Sequence, residues 1–465
     1  MARIAPTNAK GTRDYLPRDL VRRNRVFALL RATFERYGYE PLETPAVENT
    51  NVLEGKYGEE GERLLFRILK RGQSLESASR AITARPEEHE SAGSLARELS
   101  DEALRYDLTV PFARVIAAHQ NDLVMPFRRY QMQPVWRADR PQRGRYREFY
   151  QCDVDCVGSR SLAVDAEMAA IYCDVFTQLG FTSFVTRINH RGLLDALMEA
   201  CAVPVERRVV ALTLIDKQDK IGDEGVRAEL LKAGFAEASV ARLMEAITLT
   251  GAPETVVEAV RPLIGDNSRG VGALRDLAEI FARLRDLGVP DERVTLDLAL
   301  VRALSYYTGA IYETVLRDST LGSLGGGGRY DELIGAYLGR DLPCVGISFG
   351  IDRIFDALDE KGLIAAEAVT TTQALVTLFA PETVAASLAL ATRLRRAGLR
   401  TEVYPEPREL KAQLSFANKK GVPLAFILGP DELARGEVTL RDLRSGEQHA
   451  ISLEDAPARA GELLG

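Results

Sequence analysis

The hydrophobic and polar positions along the chain follow patterns that change between helix and strand. From Asp19 to Tyr37 apolar residues recur near helical spacing, and the pattern stops at Gly38, which predicts a helix with a glycine C-terminal stop. Residues 73–103 contain few large apolar side chains and predict a solvated loop with a short helix. Residues 105–157 predict short strands around polar turns.

The rest of the chain predicts an interrupted sheet followed by a separate domain. Amphipathic helical runs occupy residues 191–290, between two strand-like stretches, and we interpret them as a helical insertion. The first domain is therefore expected to comprise residues 1–190 and 291–365. Strand-like and helix-like runs then alternate, which predicts a parallel-type α/β domain over residues 371–465.

Composition excludes several classes of protein. A length of 465 residues is typical of about three domains. With 46% hydrophobic residues, 27% charged residues and a net charge of −7, the chain is neither disordered nor a uniformly basic nucleic-acid coat. No apolar stretch approaches the ~18 residues of a membrane-spanning helix, and the N-terminus shows no apolar signal core. We expect a cytoplasmic protein without a membrane partner.

Cysteines and histidines offer little catalytic chemistry. The chain has five Cys and four His, and Cys152 and Cys156 have three residues between them rather than the two of common zinc and redox motifs. Reduced thiols are expected, and neither a protein metal site nor a Ser/Cys–His hydrolase is predicted. Catalysis must therefore depend on other residues.

Arginine supplies the densest signal. The sequence from Phe127 to Asp155 predicts two strands joined by a long loop, and the part from Phe127 to Arg147 holds seven Arg and one acid, Asp139. Guanidinium groups match phosphate oxygens and keep their charge at any working pH, so a phosphate site is predicted. A solvated loop that is merely basic is the alternative.

The second strand of this hairpin carries an acidic face. Alternation places Gln151, Asp153 and Asp155 on one side, opposite an apolar side. This pattern predicts a polar pocket floor beside the arginines, and an edge strand with exposed acids is the alternative. A basic site beside an acidic pocket suggests two ligands of opposite charge, such as ATP and a cationic small molecule.

A glycine cluster and a small-faced strand give the second signal. Gly325–Gly328 could adopt positive φ and let the backbone approach a flat ligand closely. In the strand Val345–Gly350, one face carries only Gly346, Ser348 and Gly350, which predicts something bulky lying on it. The helix that follows places Arg353 in its first turn, where a phosphate would suit the helix dipole.

A single arginine in an apolar setting gives the third signal. Arg302 lies among apolar residues and close to Tyr306 and Tyr307. Burying it without an anionic partner is unfavourable, so it binds either an anionic substrate or a structural acid.

Together these residues resemble the class II aminoacyl-tRNA synthetases and, among them, the histidyl-tRNA synthetases. The Arg hairpin is similar to the second class motif, the strand and helix ending in FGIDRI to the third, and the segment around Pro45 to the first. More selective strings occur in the family's order: GTRDYLP at 11–17, YDLTVPFAR at 106–114, REFYQCDVD at 147–155, LVRALSYYTGAIYE at 300–313 and GGGGRYDELIG at 325–335.

The resemblance implies a fold and a reaction. The fold would be an α+β catalytic domain built on an antiparallel sheet, with a helical insertion and a C-terminal α/β anticodon-binding domain, in a homodimer. The reaction would be ATP-dependent ligation of L-histidine to its tRNA through a histidyl-adenylate, with AMP and pyrophosphate released. ATP would be a substrate, and Mg²⁺ would bridge its outer phosphates.

The resemblance also implies residue roles. Residues expected to act on ATP are Arg137 at the α-phosphate, Arg353 at the γ-phosphate, Arg145 at ATP or the tRNA acceptor end, Arg302 at the substrate carboxylate and α-phosphate, and Gly350. Residues expected to bind histidine are Asp107, Thr109 and Gln151 at the α-amino group, Asp155, Tyr306 and Tyr307 at the imidazole, and Leu108. Arg137 and Arg302 would be the catalytic pair.

One departure and two other functions bear on this interpretation. The family usually has Arg-Gly-Leu-Asp-Tyr-Tyr where this chain has Arg302-Ala-Leu-Ser305-Tyr-Tyr, which leaves open how Arg302 is held. Because every other named position fits, we expect activity, with some compensation for the lost carboxylate. One alternative is a histidine-sensing regulatory subunit of ATP phosphoribosyltransferase, but such proteins typically lack the C-terminal domain and lose the arginines. The other is a class II synthetase for a different amino acid.

Overall fold

The computed structural model describes residues 5–142, 144–302, 306–363, 370–378 and 380–464. The chain divides into a larger unit, Met1–Arg13 with Leu29–Leu363, and a smaller unit, Asp14–Ala28 with Ile364–Gly465. The first helix, α1 (Pro17–Arg36), confirms the predicted helix, and Gly38 follows it with φ of 77°. Within the described ranges, no helix combines the length and the apolarity that crossing a membrane requires.

An eight-stranded sheet is the centre of the larger unit. Its strands are β1 (Glu40–Pro41), β5 (Phe127–Trp136), β6 (Glu148–Val157), β7 (Phe184–His190), β8 (Val294–Leu296), β9 (Ala310–Leu316), β10 (Gly325–Arg329) and β11 (Cys344–Gly350). They lie in the order β1-β5-β6-β11-β10-β9-β7-β8. All neighbours are antiparallel except β1 with β5 and β7 with β8, at the two edges. The predicted antiparallel sheet is confirmed, with a parallel pair at each edge.

The predicted long hairpin is β5 with β6. Its register runs from Phe127 opposite Val157 to Trp136 opposite Glu148, and the loop between them carries the remaining arginines. Because β6 lies between β5 and β11, it is an interior strand, so the alternative of an edge strand with exposed acids is wrong.

Residues 42–126 form a smaller layer of helices and short strands. A three-stranded sheet consists of β2 (Val47–Asn49), β4 (Glu102–Leu104) and β3 (Arg67–Ile68), in that order. The helices of this layer are α2 (Thr50–Leu53), α3 (Gly58–Arg63), α4 (Gly72–Ala84), α5 (Ala92–Leu99) and α6 (Thr109–His119).

Two sequence predictions in this layer are wrong. Residues 73–103 hold two helices, α4 and α5, rather than a loop with a short helix, because Ala, Glu, Arg and Leu favour helix even without a large apolar face. Residues 109–119 form α6 rather than a strand. Pro111 lies in the first turn, where proline is tolerated, and Asp107 Oδ1 accepts from the Val110 N–H at 3.1 Å.

Helices cover the sheet and fill the interval between β7 and β8. α7 (Leu162–Gln178) buries most of its length, and Tyr172 and Phe176 pack on Phe349 of β11 with ring centroids 4.7 and 5.9 Å apart. The interval holds six helices: α8 (Arg191–Ala200), α9 (Arg208–Ile215), α10 (Gln218–Lys232), α11 (Glu237–Ile247), α12 (Pro253–Ile264) and α13 (Ser268–Asp286). After β10 come α14 (Gly335–Leu338) and α15 (Ile351–Glu360).

The smaller unit has a sheet and a core of its own. The strands are β12 (Ala374–Val376), β13 (Thr401–Val403), β14 (Leu424–Ile427), β15 (Glu437–Asp442) and β16 (Gln448–Ser452), in the order β13-β12-β14-β15-β16. The helices are α16 (Val384–Arg396), α17 (Leu410–Lys420), α18 (Pro430–Arg435) and α19 (Ala456–Leu464). β12 pairs in parallel with β13 and β14, as the sequence predicted, and β15 and β16 add an antiparallel part.

Candidate active site

The acidic face of β6 forms the floor of the site. Asp153 and Asp155 are each 2% exposed, although aspartate residues normally lie at the protein surface. Asp155 lies opposite Gly346 of β11, and a Cβ at Gly346 would collide with Asp155 Oδ1. Gln151 Nε2 donates to Ser348 Oγ at 2.8 Å. Because this face of β11 carries only small residues, the side chains of β6 have room beside it.

A buried arginine neutralises part of this floor. Arg129 of β5 is fully buried, lies directly opposite Asp155 in the hairpin, and places Nη2 2.7 Å from Asp155 Oδ2. Asp153 Oδ2 is 4.0 Å from the same nitrogen. The sequence analysis counted Arg129 among phosphate-binding arginines and missed this role. The hairpin register contained the signal, because it sets residue 129 across from residue 155.

Burial changes the protonation of these acids. Desolvation raises the pKa of Asp107 and Asp155, with Arg129 opposing the rise for both. Desolvation also raises the pKa of Asp153 to about 7. The charge of Arg129 opposes this rise, and the charge of Asp155 adds to it. Asp107 contributes to the rise of both aspartates of β6, so the three carboxyl groups share one electrostatic environment.

Four acceptor atoms in this environment are buried and lack a hydrogen-bond partner among the described residues: Asp107 Oδ2, Gln151 Oε1, Asp153 Oδ1 and Asp155 Oδ2, the last of which has only its ion pair with Arg129. The other oxygen of Asp107 is satisfied, since Tyr57 Oη donates to it at 2.9 Å. Buried acceptors are normally paired, and an ammonium group carries three donors and no acceptor. The pocket is therefore built to receive a cationic, donor-rich group.

Aromatic residues enclose the acidic pocket. The rings of Tyr306 and Tyr307 lie 4.9 Å apart, and that of Tyr330 lies 5.9 Å from Tyr306. Tyr330, which the sequence analysis did not single out, donates a hydrogen bond to Asp155 Oδ1. With Arg129 and Tyr330 both directed at Asp155, its carboxyl group is fixed in orientation.

α6 supplies one wall. Thr109 is its first residue, and Tyr306 lies within electrostatic reach of Asp107, two residues earlier. The Leu108 side chain is fully buried, and its carbonyl oxygen accepts from Arg129 Nη2 at 3.4 Å. The turn before α6 thus brings residues 107–109 to the floor formed by β6.

Three arginines, Arg137, Arg145 and Arg302, lie within electrostatic reach of Arg353. Burial, followed by Arg145, lowers the pKa of Arg353, and Arg137 and Arg302 lower it further. Like charges repel most when no counter-ion is present, so this cluster is suited to a polyanion.

Three arginines of this cluster are anchored by acceptors within the chain. Arg137 Nε donates to Tyr106 O at 3.1 Å, and its guanidinium lies over the Tyr106 ring at 4.2 Å. Arg145 Nη2 donates to Asp139 Oδ1 at 2.7 Å. Arg353 donates to the carbonyl oxygen of Gly144 at 3.0 Å, which joins α15 to the hairpin loop.

Four of the hairpin arginines therefore fall into two groups. Arg128 pairs with Glu167 at 2.6 Å and Arg129 with Asp155, so both are structural. Arg137 and Arg145 belong to the arginine cluster. Arg143 lies outside the described residues.

Arg302 lies above the glycine strand. Its Nη1 donates to Glu313 Oε1 of β9 at 3.2 Å. A Cβ at Gly326 would lie 2.6 Å from the Arg302 Cζ, so glycine is required there. Burial opposes the charge of Arg302, but Tyr307 and Glu313 outweigh it and hold its pKa above the ordinary value. Ser305 lies outside the described residues.

The glycine cluster corrects one expectation. Gly325–Gly328 form the regular buried strand β10, and none of them has a positive φ. The glycines are needed for space: a side chain at Gly328 would lie 2.7 Å from Ala310 O of the neighbouring strand. Gly350, the last residue of β11, lies opposite Gln151 and leads into α15.

The N-terminal GTR sequence supports the site from outside. Arg13 forms an ion pair with Asp352 of α15, whose other oxygen accepts from the Tyr150 N–H at 3.0 Å. Arg147 N donates to Gly11 O at 2.8 Å. This short segment thus ties the hairpin to α15, next to Arg353.

Comparison with known proteins agrees with this geometry. A family model described as histidyl-tRNA synthetase matches residues 96–354, and one described as anticodon binding domain matches residues 373–463. A histidine–tRNA ligase of Cytophaga hutchinsonii is 40% identical over 97% of this chain and 98% of its own. This chain belongs to the histidyl-tRNA synthetase family.

Solved structures match the family fold. The crystal structure of histidyl-tRNA synthetase from Nostoc sp. PCC 7120 is 32% identical, with a TM-score of 0.83 over 99% of this chain and 100% of that one. A Bacillus halodurans structure titled as an ATP phosphoribosyltransferase regulatory subunit/histidyl-tRNA synthetase has a TM-score of 0.72 over 89% of this chain and 97% of its own. At 23% identity it shows a shared fold only.

Proposed function

We propose that this histidyl-tRNA synthetase family member ligates L-histidine to its tRNA in two steps. A carboxylate oxygen of histidine attacks the α-phosphorus of ATP, and the bond to pyrophosphate breaks. A terminal ribose hydroxyl of the tRNA then attacks the carbonyl carbon of the histidyl-adenylate, and AMP leaves. The observation that carries the proposal is an acidic pocket and an arginine cluster on one sheet face.

The acidic pocket accounts for the amino acid. We assign Asp107, Thr109 and Gln151 to the α-amino group because two of them carry buried unpartnered acceptors. Asp155, oriented by Arg129 and Tyr330, accepts from an imidazole N–H. An apolar side chain of similar size would offer no N–H to this buried carboxylate and would leave part of its acceptor capacity unpaired, which is a strong basis for rejecting a near-isostere.

Aromatic and backbone elements complete the pocket. We assign Tyr306 and Tyr307 to the imidazole ring, and Leu108 to the pocket wall, because the three are packed around Asp107 and Arg129. Their contribution is shape and exclusion of water, which strengthens every hydrogen bond inside.

The arginine cluster accounts for the nucleotide. We assign Arg137 and Arg302 to the α-phosphate, Arg353 to the γ-phosphate, and Arg145 to ATP or the acceptor end. Gly350 contributes by bringing the backbone close to the nucleotide where β11 becomes α15. In-line displacement at phosphorus requires alignment and neutralised charge more than a proton-accepting base, and fixed guanidinium groups supply both.

Partners and cation complete the proposal. Mg²⁺ would bridge the outer phosphates of ATP, because it binds mainly to phosphate oxygens with one or two carboxylates. The described residues contain no cluster of three metal-binding side chains, so the chain is not assigned a resident metal. The anticodon-binding domain implies a tRNA partner. We further propose a homodimer that acts in the cytoplasm.

The test is histidine-dependent ATP–pyrophosphate exchange by the full-length protein, with the other amino acids as controls. Exchange with histidine alone, lost in Arg302→Ala while the fold is retained, is the expected result. Exchange with another amino acid would assign a different synthetase. No exchange, together with histidine-dependent binding to ATP phosphoribosyltransferase, would assign the regulatory function.

A further inference from the structure

Glu313 is the acid that holds Arg302. Among the described residues, Arg302 donates one side-chain hydrogen bond, from Nη1 to Glu313 Oε1 at 3.2 Å. Glu313 lies on β9, directly opposite Gly326 of β10, and the missing side chain at Gly326 leaves the space that the guanidinium fills. The contact therefore follows from sheet register rather than from a mobile loop.

Glu313 is itself held in place from the next strand. Arg187 of β7 lies opposite Glu313, with Nη1 3.9 Å from Oε2. Arg187 also pairs with Asp219 at 2.8 Å and with Asp297 at 3.5 Å. Since Asp219 belongs to α10, this chain of ion pairs runs from the helices between β7 and β8 to Arg302.

A positioning acid is needed because the site is strongly cationic. Arg302 is among the groups that disfavour the charge on Arg353, whereas Glu313 favours it. Before ATP binds, mutual repulsion would turn the long Arg302 side chain away from the other arginines. One bond to Nη1 prevents this and leaves the remaining donors of the fork for a phosphate oxygen.

We propose that Glu313 is a positioning residue that aims Arg302 at the reacting carboxylate and α-phosphate. The inference rests on the proposed adenylate chemistry. It predicts that Glu313 acts through Arg302 alone, so that removing its charge slows the chemical step more than it weakens binding of either substrate.

The experiment compares Glu313→Gln with wild type in ATP–pyrophosphate exchange. A shift of the guanidinium by about 1 Å lowers kcat about 100-fold, with KM for histidine and ATP changed much less. Glu313→Asp should recover part of the rate. The matched control is Glu167→Gln. This substitution breaks another half-buried Arg–Glu pair, the one between Arg128 and Glu167, and should leave kcat unchanged.

A double-mutant cycle with Arg302→Lys separates positioning from a general structural role. If Glu313 acts through Arg302, Glu313→Gln has little further effect in the Arg302→Lys background. Additive losses, or wild-type kcat in Glu313→Gln, would overturn the inference. A raised Mg²⁺ requirement with normal kcat at saturating Mg²⁺ would instead make Glu313 a cation ligand. Absence of exchange in wild type would refute the proposed function itself.

Discussion

Gly326→Ala tests whether the glycine strand makes room for Arg302, the arginine that we propose to be catalytic. The added Cβ would lie 2.6 Å from the Arg302 Cζ and Nη1, whereas ordinary contacts begin at 3.4 Å. The guanidinium must therefore retreat by about 0.8 Å, the difference between these distances. The nearest atoms are the end of a flexible side chain, so the fold is expected to survive.

The expected magnitude follows from this displacement. A misplacement of about 1 Å costs about 100-fold in rate, which corresponds to about 2.7 kcal/mol of activation free energy. The assay is kcat for histidine-dependent ATP–pyrophosphate exchange, with the melting temperature measured alongside. Gly272→Ala on α13 is the matched control, since a Cβ there meets open space. Wild-type kcat in Gly326→Ala would refute the reasoning.

Three further outcomes are expected. Asp155→Ala should raise KM for histidine about 30-fold or more, from a loss of ~2 kcal/mol or more, and should change KM for ATP little; equal effects on both would indicate a collapsed pocket. Because Asp153 has a pKa of about 7, it gains a proton as pH falls through 7, so kcat/KM for histidine should decline below that pH. Asp153→Asn should remove that part of the profile, and an unchanged profile would exclude Asp153 as its source. Deleting residues 371–465 should spare exchange but weaken tRNA charging, measured as histidyl-tRNA formed; equal loss of both would contradict a separate tRNA-binding role.

The ion pair between Arg302 and Glu313 is relevant to Ser305, where this chain differs from the usual family sequence. The sequence raised the question of what holds this arginine when the usual aspartate is replaced. Glu313 is eleven residues away along the chain, on β9, and pairs with Arg302. Glu313 thus offers Arg302 a carboxylate that does not depend on residue 305, and Glu313→Gln tests whether this contact sustains the expected activity.

Several features were predictable from the sequence alone. Alternation along residues 148–157 placed Gln151, Asp153 and Asp155 on one face, because side chains of a strand alternate with a period of two. Helical periodicity located α1, and the ordered motifs identified the family. These are local or linear properties, so they need no knowledge of which segments meet.

Only the tertiary structure determined which residues contact one another. From the sequence Arg129 was counted with the phosphate-binding residues, but strand pairing sets it against Asp155. The glycines of β10 suggested positive φ beside a flat ligand, but they form a regular strand on which Arg302 lies. α6 was mistaken for a strand because its buried face and proline hide the helical pattern. Charge pairing and steric space depend on residues far apart in the chain, so the sequence determined which chemical groups were present, and the packing of the sheet determined what each of them contacts.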